Sequence, residues 1–171
     1  MIPQPHAMIR DAVLEDLPSI VEIYNSTIAS RLVTADTEAV SIASRYPWFA
    51  AHSADRHPLW VLEQEQEICG WLSLSAFYGR PAYQATVEVS LYVAPRHRRQ
   101  GVGQQLLRHT LTSSPHLGIE SLLGFIFAHN QPSLNLFKQF GFQSWGYLPQ
   151  VAKLDEIKRD LVILGLKIEV N

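Results

Sequence analysis

The stretch "VAPRHRRQGVGQQLL", Val93 to Leu107, sets the end of an apolar strand, a run of basic side chains and two glycines directly before a helical pattern. A strand ending at Val93, a short connection and a helix beginning near Val102 would aim several unpaired backbone N–H groups at one point. Gly101 and Gly103 allow close approach of that backbone to a ligand, while Arg98, Arg99 and the helix dipole favour an anion. A phosphate or pyrophosphate is the natural occupant. Taken alone, the loop is equally compatible with a solvated basic turn ahead of a surface helix. Other phosphate loops fit less well: no "GKS" or "GKT" occurs, and "GVGQQL" lacks the third glycine of a dinucleotide fingerprint.

Upstream, "ATVEVSLYVAP" alternates strictly, with Val87, Val89, Leu91 and Val93 on one face and Thr86, Glu88, Ser90 and Tyr92 on the other, until Pro95 stops it. "PLWVLEQEQEICGWLSLSAF" predicts a hairpin, Leu59 to Glu63 and Glu67 to Ala76 around a polar turn at Gln64 to Gln66. Further back, a short strand spans Met8 to Ala12. Asp16 is the expected N-cap of a helix with Pro18 in its first turn and Leu17, Ile20, Val21 and Tyr24 at helical spacing. Residues 31–57 suggest a broken helical region ended by "RYPW" and "RHP". Downstream, a helix runs from Val102 to about Ser113, and "IESLLGFIFA" is a strand covered on both faces. "NQPSLNLFKQFGF" is a helix capped by Asn130 and stopped at Gly141, and "RDLVILGLKI" is a closing strand. The order implies one mixed sheet covered by helices.

With 171 residues, 47% of them hydrophobic, the chain suits one well-buried domain over 8–171 behind a disordered leader at 1–7. A net charge of −2 supplies no basic field for nucleic acid, so any basic site is local. Cys69 is the only cysteine, which excludes an intramolecular disulfide and suits a reducing, cytoplasmic setting. "MIPQPHA" is neither a signal peptide nor an anchor, and no apolar run approaches the ~20 residues of a membrane span. The seven histidines lack ligand spacing, so no metal site is expected.

Arg98-Arg99-Gln100-Gly101-Val102-Gly103 resembles the Arg/Gln-x-x-Gly-x-Gly/Ala loop of the GNAT superfamily of acyl-CoA-dependent N-acetyltransferases. "RYPW", "YGRPAYQATVEVSLYV" and "NQPSLNLFKQFGF" are similar to its phosphinothricin acetyltransferase-like branch. The resemblance implies an α/β (α+β) GNAT fold: a central mixed, mostly antiparallel twisted sheet of six to seven strands flanked by helices. It also implies acetyl-CoA as cosubstrate, its pyrophosphate on Arg98, Arg99, Gln100, Gly101, Val102, Gly103 and Gln104. The pantetheine arm would then pair with Leu91, Tyr92 and Val93 as an added strand, and Asn130 and Ser133 would meet its thioester end. By itself, Asn130 reads as a helix cap.

Amine attack on a thioester needs a proton acceptor and a polarised carbonyl. The branch's Thr-Val-Glu-x-Ser pattern, here Thr86 to Ser90, implies Glu88 as general base; periodicity alone reads Glu88 as a solvent-facing strand residue. A free backbone N–H near Val93 is the expected oxyanion donor, and Arg80, Tyr83, Glu88 and Ser90 the expected acceptor contacts. Phe137 stands where many superfamily members carry an acidic tyrosine, which leaves Tyr92 and Tyr147 as tyrosines for that role. "VAKLDEIKRDL" departs from the "GxKxGxWxD"-like segment of true phosphinothricin acetyltransferases, with Leu154 for their lysine and Lys158 for their tryptophan. The implied activity is acetyl transfer to the primary amine of a small molecule, an amino acid or analogue, with a homodimer compatible. Two other readings stay open: a protein N-terminal acetyltransferase, and an acyl-CoA-binding regulatory module without turnover.

Overall fold

In the computed structural model, which describes residues 7–169, seven strands form one sheet: β1 (Met8–Asp11), β2 (Leu59–Gln64), β3 (Glu67–Ala76), β4 (Thr86–Val93), β5 (Ser121–Phe127), β6 (Gln143–Leu154) and β7 (Ile157–Lys167). Their spatial order is β1-β2-β3-β4-β5-β7-β6, and every neighbouring pair is antiparallel except β4–β5, which is parallel. This is the mixed, mostly antiparallel sheet expected of the sequence. Residues 1–6 of the expected leader lie outside the described residues.

Helices α1 (Leu17–Asn25) and α2 (Ile42–Ala50) cover one face, α3 (Val102–Ser113) and α4 (Gln131–Gln139) the other. The alternation of β4 decides what each face receives. Val87 and Val89 join the larger core with Val102, Leu106, Leu134 and Phe137 from α3 and α4. Tyr92, on the opposite parity, packs with Ile20, Ile23, Tyr24 and Trp48 from α1 and α2. Glu88 and Ser90 share that parity and point to the α1/α2 face.

The β2–β3 hairpin turns through Glu65 and Gln66, both with positive φ, as a type I′ turn requires, although neither is glycine or asparagine. Four findings depart from the sequence expectations. Asp16 does not cap α1 with its side chain. Its carboxylate instead accepts from the Val13 N–H at 2.8 Å and from Arg10 Nη1 at 2.7 Å, and Arg10 also meets Glu63 on β2 at 2.7 Å. Arg10 and the Val13 amide, both just upstream, take the carboxylate that would have capped the helix. "RYPW" does not end α2, which continues through Pro47 to Ala50 because Trp48 and Phe49 pack against the α1-side cluster. The stretch before it, residues 31–41, is irregular. β6 was not expected: it is an edge strand with two register shifts and mostly exposed side chains, and its Trp145 ring occupies the space a Cβ at Gly165 would need, 1.9 Å away.

Burial pushes the Asp16 carboxyl up, but the hydrogen bonds from Arg10 and the Val13 amide outweigh it and hold the group below its ordinary range. Its contribution to stability is therefore present above the ordinary carboxylate pKa and lost as pH falls through the lower folded value. Asp16→Asn should cost about 1–3 kcal/mol in urea unfolding at pH 7. The deficit should shrink below about pH 4.

Candidate active site

The β4–β5 ladder has three rungs, Thr86↔Ser121, Val87↔Leu122 and Glu88↔Leu123, and then stops, although both strands continue. From Val89 to Val93 the β5-facing edge of β4 has no ladder partner, while its other edge stays paired with β3 up to Gly70↔Val93. Alternate N–H and C=O groups along that edge are thus offered to whatever enters between the strands. The opening is a cavity of about 360 Å³ walled by Glu88 to Tyr92, by Phe125 to Phe127 of β5 and by Asn130, Ser133 and Phe137 of α4. Val33, Thr34 and Ala35 from the α1–α2 connection and Val151 and Ala152 from β6 also border it. These two borders are tied by Arg31, whose Nε and Nη2 meet the Asp155 carboxylate at 2.6 and 3.2 Å.

At the base of α3 the chain adopts left-handed conformations at Arg99 (φ 62°) and Gly101 (φ 81°), which turn successive amides toward a common concavity. Gly101 is the N-cap and provides no side chain to receive the free amides. The first helical bond is Gln105 N–H to Gly101 C=O at 3.0 Å; among the described residues, no acceptor meets the N–H groups of residues 99–104. With Arg98 and Arg99 alongside, this cradle fits a phosphate group on its donor chemistry. The two glycines serve different ends. A Cβ at Gly101 would meet only Gln104 Oε1 at 3.9 Å, so this residue faces open space where a ligand can sit. A Cβ at Gly103 would come within 2.9 Å of Leu136 Cδ2, so its missing side chain lets α3 pack on α4, while its backbone N–H remains among the free amides at the start of α3.

Asn130 is buried and does cap α4, its Oδ1 accepting from the Ser133 N–H at 3.2 Å, yet it also lines the cavity with Ser133. Phe137 is packed against Phe142, ring centroids 4.9 Å apart, so α4 presents no hydroxyl at that position. Tyr147 is exposed, hydrogen-bonded to Asp160 and outside the cavities.

A second cavity, about 240 Å³, lies on the α1/α2 face between Ile20, Val21 and Tyr24 of α1, Arg45 and Trp48 of α2, and Trp71, Ser73 and Ser75 of β3. Glu88, Ser90 and Tyr92 line both cavities. Glu88 is thus at the last rung before the strands part and at the junction of the two spaces. Burial pushes its carboxyl above the ordinary glutamate range. Burial, the neighbouring Tyr24 hydroxyl and the Glu88 carboxylate likewise push the Tyr92 phenol up, so it stays protonated. Tyr92 stacks on Trp71 at 4.5 Å between centroids and leans on Tyr24 at 5.1 Å.

The other expected residues lie further out. Val93 is outside both cavities and, at about 3.3 Å per residue, about 16 Å along the strand from Glu88. One acetyl group cannot meet both. Arg80 and Tyr83 are exposed in the β3–β4 connection, at the rim: Tyr83 touches Phe77, which stacks on the cavity-lining Phe125 at 6.5 Å. Sequence reasoning did not bring Arg45 and Trp48 to the site, because they come from the 31–57 region whose structure the pattern left ambiguous; it put Tyr24 on the α1 stripe without a role in a cavity. Among the described residues, no group of acidic, histidine or cysteine side chains is placed to hold a metal, and no helix is long and apolar enough to cross a membrane.

A chain with free amides at the start of α3, a parted strand edge and a half-buried carboxylate between two cavities has clear relatives. The model of the acetyltransferase (GNAT) family matches residues 19–142. The chain is 51% identical over 158 residues to the Bacillus subtilis (strain 168) "Putative phosphinothricin acetyltransferase YwnH", covering 92% of this chain and 96% of that one. It is 30% identical over 164 residues to the L-methionine sulfoximine/L-methionine sulfone acetyltransferase of Pseudomonas paraeruginosa, covering 95% of each. The fold superposes on a GNAT superfamily phosphinothricin acetyltransferase from Sinorhizobium meliloti, solved with AcCoA, with a TM-score of 0.89 at 28% identity, over 95% of this chain and 88% of the other. The chain therefore belongs to the acetyltransferase (GNAT) family, as an N-acetyltransferase of its phosphinothricin acetyltransferase-like branch.

Proposed function

We propose that the protein transfers the acetyl group of acetyl-CoA to the primary amine of a free amino acid or amino-acid analogue, by direct attack with both substrates bound. The observation that carries this reading is Glu88, a half-buried carboxylate at the point where a strand-edge cavity and a second cavity meet. The amides of residues 99–104 would hold the pyrophosphate, and the unpaired edge of β4 the amide-bearing arm, as strand addition. That leaves the acetyl end beside Glu88, with Asn130 and Ser133 across the cleft.

The incoming amine is an ammonium ion in solution and must lose a proton to attack. Glu88 accepts it, directly or through water, and its raised pKa brings it nearer the working pH. Because Val93 lies too far away, the oxyanion role passes to an unpaired amide of the Val89–Leu91 stretch, which lines the same cavity. The thiolate leaves without a tyrosine hydroxyl at position 137; a thiol pKa of about 8.5 makes that tolerable. Arg80 and Tyr83 meet whatever part of the acceptor projects from the rim. The names of the relatives support an amino-acid-like acceptor. The retained, activated carboxylate favours turnover over a purely regulatory role.

Thiol release from acetyl-CoA should depend on added amine, with amino acids and methionine sulfone ahead of polyamines and short peptides. Release with peptides alone would instead favour N-terminal acetylation of proteins.

Glu88→Gln should lower kcat by about 10²–10⁴ at neutral pH and leave acetyl-CoA affinity little changed. In the wild type, activity should fall with decreasing pH at a higher pH than an ordinary glutamate would dictate, because the base must be ionised. Stability moves the opposite way. A raised folded pKa means a contribution that is present below the unfolded value and lost as pH rises through the folded one. Glu88→Gln should therefore raise Tm at pH 7, and the gain should vanish at pH 4.

A further inference from the structure

Two cavities meet at Glu88, and together their walls carry one other charged side chain, Arg45. Arg45 belongs to α2 and reaches the α1/α2-face cavity with its guanidinium 4.8 Å from the centroid of Tyr24 and 5.9 Å from that of Trp48. This aromatic contact fixes the plane of the group. Asp36 accepts one hydrogen bond from Nη2, at 3.2 Å, and is itself bonded to the Tyr24 hydroxyl. A guanidinium has five N–H donors, and no other hydrogen bond from Arg45 is made among the described residues. Arg45 is therefore oriented by three neighbours and still has donors to give, on the wall of a space that also contains the half-buried carboxylate of Glu88.

One cation and one carboxylate on the wall of a cavity of about 240 Å³ complement a small zwitterion. With the amine directed to Glu88, Arg45 is the one wall charge left in this cavity for the neighbouring carboxylate. Arg80, exposed in the β3–β4 connection, lines neither space and is free to act on a more distant group of the acceptor. Resting on the amino-acid reading of the site, we infer that Arg45 binds the α-carboxylate of the acceptor and so sets the preference for free amino acids over amines and peptides that lack it. Asp36 and Tyr24 position the guanidinium for this contact.

The test compares kcat/KM for L-methionine sulfone and for its primary amide, which differ at the carboxyl group alone, in the wild type, Arg45→Gln and Arg45→Lys. The wild type should prefer the acid. In Arg45→Gln the acid-to-amide preference should fall about 100-fold, chiefly through KM for the acid, because the carboxylate loses a charge-assisted partner. Arg45→Lys should recover part of the preference, since it retains the charge without the planar fork. The ratio is insensitive to a general loss of active enzyme, which lowers both substrates together. An unchanged ratio in both variants would overturn the assignment and leave Arg45 as packing for Tyr24 and Trp48. A wild type that acetylates neither the acid nor any other amino acid would sink the acceptor class itself, and this assignment with it.

Discussion

Everything at this site depends on the parting of two parallel strands. β4 and β5 share three rungs and then separate, which leaves one edge of β4 unpaired from Val89 to Val93 in the middle of a seven-stranded sheet. An unpaired backbone edge inside a protein is costly unless something satisfies its N–H and C=O groups. In the proposed reading a ligand with amides of its own satisfies them. The same separation places Glu88 at the fork, buried enough to raise its pKa yet in contact with both spaces.

The two faces of the sheet divide the work. The α3/α4 face provides the large apolar core and, at the start of α3, amides turned outward by left-handed residues at 99 and 101. The α1/α2 face is smaller and aromatic, with Tyr24, Trp48, Trp71 and Tyr92 in mutual contact. In such surroundings a charge interacts more strongly than in water, which adds weight to the two charged side chains of that cavity, Arg45 and Glu88. Even the interlocking of α3 with α4 at Gly103 contributes at a distance, by fixing where the cradle stands relative to the cleft.

Much of this was legible in the sequence, and for physical reasons. The strict alternation of Thr86 to Val93 is a period-two pattern with a buried face, and it gave the strand, its parity and the placement of Glu88. The Gly101 loop and the Asn130 cap are local signals that owe little to the rest of the chain. Where one local signal competed with other contacts, reading failed. Asp16 has every property of an N-cap and is claimed instead by Arg10. Pro47 should have broken α2, but packing by its neighbours retains the turn. β6 shows no alternation, because an exposed edge strand with bulges has little to bury. Arg45 was invisible because its meaning comes from a cavity built by α1, α2, β3 and β4 together.

The central claim is that the unpaired edge of β4 is completed by the acetyl-CoA arm. Amide hydrogen exchange of the intact protein, with and without acetyl-CoA, measures this directly. Residues 89–93 should exchange slowly only when acetyl-CoA is bound, together with residues 99–104, while the amides of β2 stay unchanged. Protection confined to residues 99–104, with the β4 edge exchanging as before, would contradict the account: the phosphates would be held, but the strand would not be completed.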